Sequence, residues 1–238
     1  MDAHLPDAHL LAEARLDAAV SLAVFRTALS AMSRPGRVER LPDAAPASIP
    51  AALLVPLALA DLEVAVAVLD HPPDDGAGRA SWAELVRTAT GARLVSEVAA
   101  ADLVVAQRAP TPYEVSTLRT GDAVAPEKGA RLVLACAALR RCDHEPHDSG
   151  VQLRLTGPGA ASGRTVCVEG VEPAVFAALR ETNRSFPAGV DTWLVADDGS
   201  VIALPRSAHV EVRLAAHATG VAPEAAVAHE SMNTNGVD

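Results

Sequence analysis

Three short apolar runs constrain this chain most. Val64–Leu69, Asp102–Gln107 and Arg131–Ala137 are each too short for a membrane span and too continuous for a half-solvated strand. Runs of that kind are strands buried on both faces, which requires layers above and below the sheet. The intervening segments supply helices. Ser81–Thr90 has Ser81 at the N-cap and Glu84 three residues later, a capping box, and Gly91 at its end. Tyr113–Arg119 reads as a short helix closed by Gly121. Strands alternating with helices give an α/β fold with a mixed sheet flanked by helices.

The flanks complete the sheet. Leu16–Ser33 reads as a helix with an apolar stripe of Leu16, Val20, Leu22, Val24, Leu29 and Met32, stopped by Arg34-Pro35-Gly36. In that helix Phe25 reads as core and Arg26 as exposed. Val38–Leu41 reads as a short strand, and Pro46–Ala60 as a helix kinked or split by Pro56. Val151–Thr156 and Arg164–Glu169 are strands around Gly157-Pro158-Gly159. Pro173–Asn183 is a helix with Pro at its first turn. Val190–Ala196 and Ser200–Leu204 form a hairpin about Asp197-Asp198-Gly199. Pro205 ends its second strand, and a third short strand follows through Val212. Residues 1–16 are expected to be a flexible arm, 17–213 one α/β domain and 214–238 a disordered tail.

Composition excludes several functions. A net charge of −10 gives no basic face for nucleic acid, and aromatics are too few for base stacking. No run reaches the length of a membrane span. Cys136, Cys142 and Cys167 are an odd number without framework spacing, as suits a reducing cytoplasm.

Each chemical motif has a structural competitor. Gly157-Pro158-Gly159 followed by Gly163 is flanked by strands on both sides, so a hairpin loop outweighs a phosphate cradle. Cys136, Cys142, His144 and His147 carry zinc-type ligands at no zinc spacing, and no metal is expected. Lys128 is the only lysine and lies in an exposed Pro-Glu-Lys-Gly turn, which argues against pyridoxal phosphate. No Gly-x-Ser-x-Gly elbow is present. What remains is Arg34, Glu127, Arg154, Arg206, His209 and Glu211, all near element ends. Arg34, Arg206 and His209 suit a phosphate, a phosphonate or a partner's carboxylates, with Glu127 and Glu211 orienting them.

In order along the chain come Phe25-Arg26, Ala31-Met32-Ser33-Arg34-Pro35-Gly36 and Leu59-Ala60-Asp61. Gly121 with Ala123-Val124-Ala125-Pro126-Glu127 and Leu153-Arg154-Leu155-Thr156-Gly157-Pro158-Gly159 follow. Phe186-Pro187, Gly189-Val190-Asp191, Leu204-Pro205-Arg206 and His209-Val210-Glu211-Val212 close the series. This ordered set, from about Phe25 to Val212, resembles the PhnH family, a subunit family of the bacterial carbon–phosphorus lyase system. The resemblance implies a fold like the large domain of type I pyridoxal-phosphate transferases without the cofactor. It implies a homodimer joined to other subunits. It also implies a role in displacing adenine from ATP with methylphosphonate, giving ribose 1-methylphosphonate 5-triphosphate. ATP and alkylphosphonate are then substrates of the complex, and the nucleosidase-like catalysis falls to a partner. The alternative from another class is a free-standing transferase-like enzyme using the same Arg/His anion site. A scaffold without any ligand is a third reading.

Overall fold

The computed structural model describes residues 12–70, 81–142 and 150–213. The element order is α1 (Ala18–Ser33), β1 (Glu39–Arg40), α2 (Ala51–Leu59), β2 (Ala65–Leu69), α3 (Trp82–Thr90), β3 (Arg93–Leu94), β4 (Leu103–Ala106), α4 (Pro112–Ser116), β5 (Arg131–Cys136) and β6 (Ala138–Arg141). It continues with β7 (Val151–Thr156), β8 (Arg164–Glu169), α5 (Pro173–Thr182), β9 (Asp191–Ala196), β10 (Ser200–Leu204) and β11 (His209–Arg213). Two sheets form. The larger runs β1-β10-β9-β5-β4-β2-β3, and the smaller runs β11-β7-β8-β6. In the larger sheet β3, β2, β4, β5 and β9 are mutually parallel, and β10 runs antiparallel to both of its neighbours. The α/β class and the mixed sheet are therefore as the sequence indicates.

Side-chain alternation explains the continuous apolar runs. Leu103 and Val105, Val133, Trp193 and Val195, and Val201 and Ala203 face one core, shared with α1, α2 and α3. Val104 and Ala106, Leu132 and Leu134, Leu194 and Ala196, and Ile202 and Leu204 face a second core, which α5 and the smaller sheet close. Both faces of the larger sheet are covered, so the central positions of its inner strands are apolar. One long-range bond fastens α1 to this sheet: Trp193 Nε1 donates to the Ala28 carbonyl at 3.0 Å.

Local signals set the helix ends. Asp17 caps α1 by accepting from the Ala19 and Val20 amides. The expected capping box of α3 is present between Ser81 and Glu84, and Gly91 takes a left-handed φ of 74°. A second capping box, Thr111 with Glu114, starts α4. Pro56 lies inside α2, which is shorter than the sequence suggests.

Several details differ from the sequence reading. The stripe of α1 is split. Val20, Val24, Ala28 and Ala31 are buried, whereas Leu22, Phe25 and Leu29 are 47%, 43% and 57% exposed. Phe25 is therefore not a core residue, because the helix carries a second apolar stripe on its solvent side. β3 and β6 were not legible as strands. Both edge strands of the larger sheet, β1 and β3, are only two residues long and hold Glu39, Arg40 and Arg93. Cys142 is bonded to Cys167, because β6 pairs antiparallel with β8 and brings the two Cα atoms to 5.9 Å. Ala14, inside the segment expected to be an arm, is buried in the first core. Residues 1–11 of that arm, the tail from 214 on, and His144 and His147 lie outside the described residues. No described helix is long and apolar enough to cross a membrane.

Candidate functional site

The sequence landmarks gather into two structural junctions. The first joins the 119–130 loop, the 187–191 turn and Arg206. The Gly189 amide donates to the Thr120 carbonyl at 2.7 Å, and the Ala130 amide to the Arg119 carbonyl at 2.7 Å. At Gly129 a Cβ would lie 2.3 Å from the Gly189 carbonyl oxygen, so only glycine lets these backbones meet. Arg206 closes the junction. Its Nε and Nη2 donate to Asp191 Oδ2 at 3.2 and 2.8 Å, and its Nη1 donates to the Pro126 carbonyl at 2.5 Å. The Arg206 backbone amide donates to Asp191 Oδ1 at 2.9 Å.

The second junction joins the end of α1 to the 157–164 hairpin. Arg164 Nη1 donates to the carbonyls of Pro35 and Gly159 at 2.9 and 2.6 Å. A Cβ on Gly159 would sit 2.2 Å from the Ser33 carbonyl oxygen. Gly157-Pro158-Gly159 is thus a hairpin loop that fits the α1 terminus, as the flanking strands indicate.

The five sequence-selected residues do not form one cluster. Arg206 has its guanidinium occupied by Asp191 and Pro126, and its side chain is 13% exposed. Arg34 sits at the C-cap of α1, where Nη1 donates to Ser30 Oγ at 2.7 Å and lies 3.7 Å from Glu39. Glu127 is exposed on the Pro126–Lys128 turn and adjoins Arg206 only through the neighbouring Pro126 carbonyl. Glu211 lies opposite Arg154 in the strand register but 3.4 Å from Arg213 Nη2. The carboxylates that orient Arg206 and Arg34 are therefore Asp191 and Glu39, not Glu127 and Glu211. These pairings run between distant segments, which sequence spacing does not encode.

His209 has different surroundings. It stands at a cavity of about 420 Å³ between the C-terminal half of α5 and the β10–β11 connection. Phe176, Leu179 and Val210 give the cavity apolar walls, and Arg180, Arg184 and His209 give it donors. Arg184 is engaged by Glu181 at 2.9 Å. Asn183 is spent on the Val190 backbone, accepting from its amide at 2.7 Å and donating to its carbonyl at 3.0 Å. Thr192 is 1% exposed and lines this cavity, and its hydroxyl has no partner among the described residues. A buried hydroxyl without a described partner beside Arg180 and Arg184 suits an anionic ligand with an apolar portion, and the Glu181 carboxylate that also lines the cavity is taken up by Arg184. Arg180, Arg184 and Thr192 escaped the sequence reading. Arg180 lies on what reads as an ordinary exposed helix face, Arg184 lies just past the helix end, and Thr192 lies inside an apolar strand.

Other titratable groups belong to the framework. Glu114 is held down to about 2 by its hydrogen bond to Arg108, with the Thr111 amide and hydroxyl adding to the effect. Burial pushes the Cys136 thiol up to about 12, with Asp197 and Asp198 adding to the effect. Among the described residues no three His, Cys, Asp or Glu side chains gather as metal ligands.

Fold and site together define an α/β protein with a mixed sheet covered on both faces and a polar cavity beside α5. Its cavity pairs cationic donors with apolar walls, and its sequence landmarks hold backbone junctions. The chain belongs to the family of bacterial phosphonate metabolism proteins, PhnH, whose family model matches residues 15–211. Among its relatives is HtxG of Stutzerimonas stutzeri, named a C-P lyase subunit protein. It is 34% identical over 189 residues, covering 79% of this chain and 85% of the relative. Another is the alpha-D-ribose 1-methylphosphonate 5-triphosphate synthase subunit PhnH of Rhizobium meliloti (strain 1021). It is 27% identical over 193 residues, covering 79% of this chain and 88% of the relative.

Proposed function

We propose that this chain is a cytoplasmic subunit of a carbon–phosphorus lyase system serving phosphonate catabolism. In that role it supports transfer of the ribose triphosphate of ATP to methylphosphonate with release of adenine, and a partner subunit performs the catalysis. The observation that carries this reading is family membership over nearly the whole described chain, with both relatives named as subunits. The α1 surface supports it. Leu22, Phe25 and Leu29 form an exposed apolar stripe beside a cavity of about 420 Å³ lined by Met32, Leu59 and Trp193, with Arg131 and Asp191 also at its wall. Such a stripe on an otherwise charged protein marks an interface. In our reading its occupant is a second copy of this chain, with the apolar side chains of α1 meeting their counterparts and Arg131 and Asp191 of the adjoining cavity offering one charge of each sign at the edge.

The His209 cavity is the candidate anion site of this subunit. Lys128, the sole lysine, is exposed on its turn and lines none of the described cavities, which supports a reading without a Schiff base. The parallel strands bordered by antiparallel β10 support a fold like the large domain of type I pyridoxal-phosphate transferases. Superposition of this fold on such a domain checks that likeness.

The functional test is adenine release from ATP plus methylphosphonate by the reconstituted transferase subunits, with and without this chain. Release that needs the chain supports the reading. Release that is unchanged without it refutes the role, and turnover by the purified chain alone makes it an enzyme instead. For the interface, Phe25→Arg with Leu29→Arg is expected to convert a dimer to a monomer in light scattering. A dimer that persists refutes this placement.

A further inference from the structure

We infer a second anion site, for a tetrahedral phosphoryl or phosphonyl group, in the cavity between β6, β7 and β8. The inference rests on side chains alone and does not depend on the subunit reading. The cavity is about 220 Å³, and Arg141, Arg154 and Arg164 line it together with Thr165, Gly36 and Gly163. No carboxylate is among the described lining residues. Arg154 and Arg164 set two guanidinium groups beside one small concavity, and in a chain of net charge −10 that arrangement is not a by-product of excess cations.

The site is built rather than accidental. Arg154 alternates outward on β7, between Thr165 on β8 and Glu211 on β11. Glu211 nevertheless lies near Arg213, and no described carboxylate lies within ion-pair distance of Arg154. The guanidinium of Arg154 lies over Gly163, where a Cβ would come within 2.9 Å of Nη2. Gly163 has a φ of 76°, so the backbone there both needs glycine and makes room for the cation. Arg164 is anchored through Nη1 alone by the Pro35 and Gly159 carbonyls, which leaves the rest of its fork to face the cavity. A fixed fork, a second guanidinium and a neighbouring threonine hydroxyl match the oxygens of a phosphate or phosphonate group. The volume admits such a head group but not a nucleoside, so a nucleotide would enter only by its terminal phosphate.

Titrating inorganic phosphate and methylphosphonate in separate arms tests the site, by calorimetry and by NMR of the arginine Nε–Hε resonances. The expected result is saturable binding that shifts the Arg154 and Arg164 resonances together and weakens as salt rises, whatever the His209 cavity adds to the calorimetric total. Arg154→Gln should weaken the binding read at Arg164 at least about tenfold, and His209→Ala should leave the Arg154 and Arg164 shifts unchanged. Binding of phosphate alone assigns the site to free phosphate, and binding of both anions assigns it to the shared head group. The wild-type resonance shifts locate the site even if Arg154→Gln fails to fold. Absence of shifts at both arginines up to about 10 mM of either anion overturns the proposal, as does an Arg154→Gln protein that binds like wild type. Loss of binding in His209→Ala alone also overturns it, because the anion then sits in the other cavity.

Discussion

Replacing Arg206 should damage the fold rather than a binding surface. Arg206→Met keeps most of the side-chain stem and removes the guanidinium. It deletes two hydrogen bonds to Asp191 and one to the Pro126 carbonyl. A fully buried pair broken on one side costs about 3–5 kcal/mol. Here Arg206 is 13% and Asp191 27% exposed, so the stranded carboxylate recovers some hydration and keeps its bond from the Arg206 amide. The expected loss is therefore about 2–3 kcal/mol. For a domain of this size that moves the urea midpoint down by about 1 M. Asp191→Asn retains the acceptor for the Arg206 amide and removes the charge. Combined with Arg206→Met it should complete a cycle with a coupling of about 1.5 kcal/mol or more. A loss below about 0.5 kcal/mol, or coupling near zero, would show that the junction does not depend on this pair. Arg206 would then be available to bind an anion, as its place in the sequence suggests.

Three further outcomes follow from other sites. Glu114 has its folded pKa lowered from 4.5 to about 2, so its contribution is complete above 4.5 and is lost as pH falls toward 2. Allowing for solvent screening of a partly exposed pair, Glu114→Gln should cost about 1–2 kcal/mol at pH 7, and equilibrium unfolding should show the difference closing below pH 4.5. Cys136, with its thiol pushed up to about 12, should resist iodoacetamide at pH 8 in the folded protein and react once urea unfolds it. Equal labelling rates in both states would contradict its burial. Gly159→Ala places a methyl 2.2 Å from the Ser33 carbonyl oxygen at a φ of 76°, and should lower stability by at least about 2 kcal/mol in thermal unfolding. A neutral substitution there would mean that the α1–hairpin junction is loose.

The frame of this protein was open to reading because its signals are local. Apolar runs give β2, β4 and β5 within a residue or two, and Ser81 with Glu84 gives the start of α3. The site was harder for three physical reasons. Arg206 is paired with Asp191 15 residues away and with Pro126 80 residues away, separations that carry no periodic signature. Thr192 reads as one more strand residue, and only the packed structure shows its hydroxyl without a partner. The two apolar stripes of α1 are equivalent in sequence, so burial of Val24 and exposure of Phe25 depend on which side the sheet lies. β3 and β6 were missed because two or four residues, several of them charged, are too few to show alternation.

The two-residue border strands have a consequence for assembly. A long bare edge invites another chain to continue the hydrogen-bond ladder, and β1 and β3 offer neither the length nor the apolar rows for that. A lasting contact at the borders of the larger sheet must then be read through side chains, and among the described strands only β11 and β6 of the smaller sheet present longer edges. Recognition of that kind can be rewritten one residue at a time without touching backbone pairing. Related subunits could exchange partners on this scaffold while the sheet beneath stayed the same.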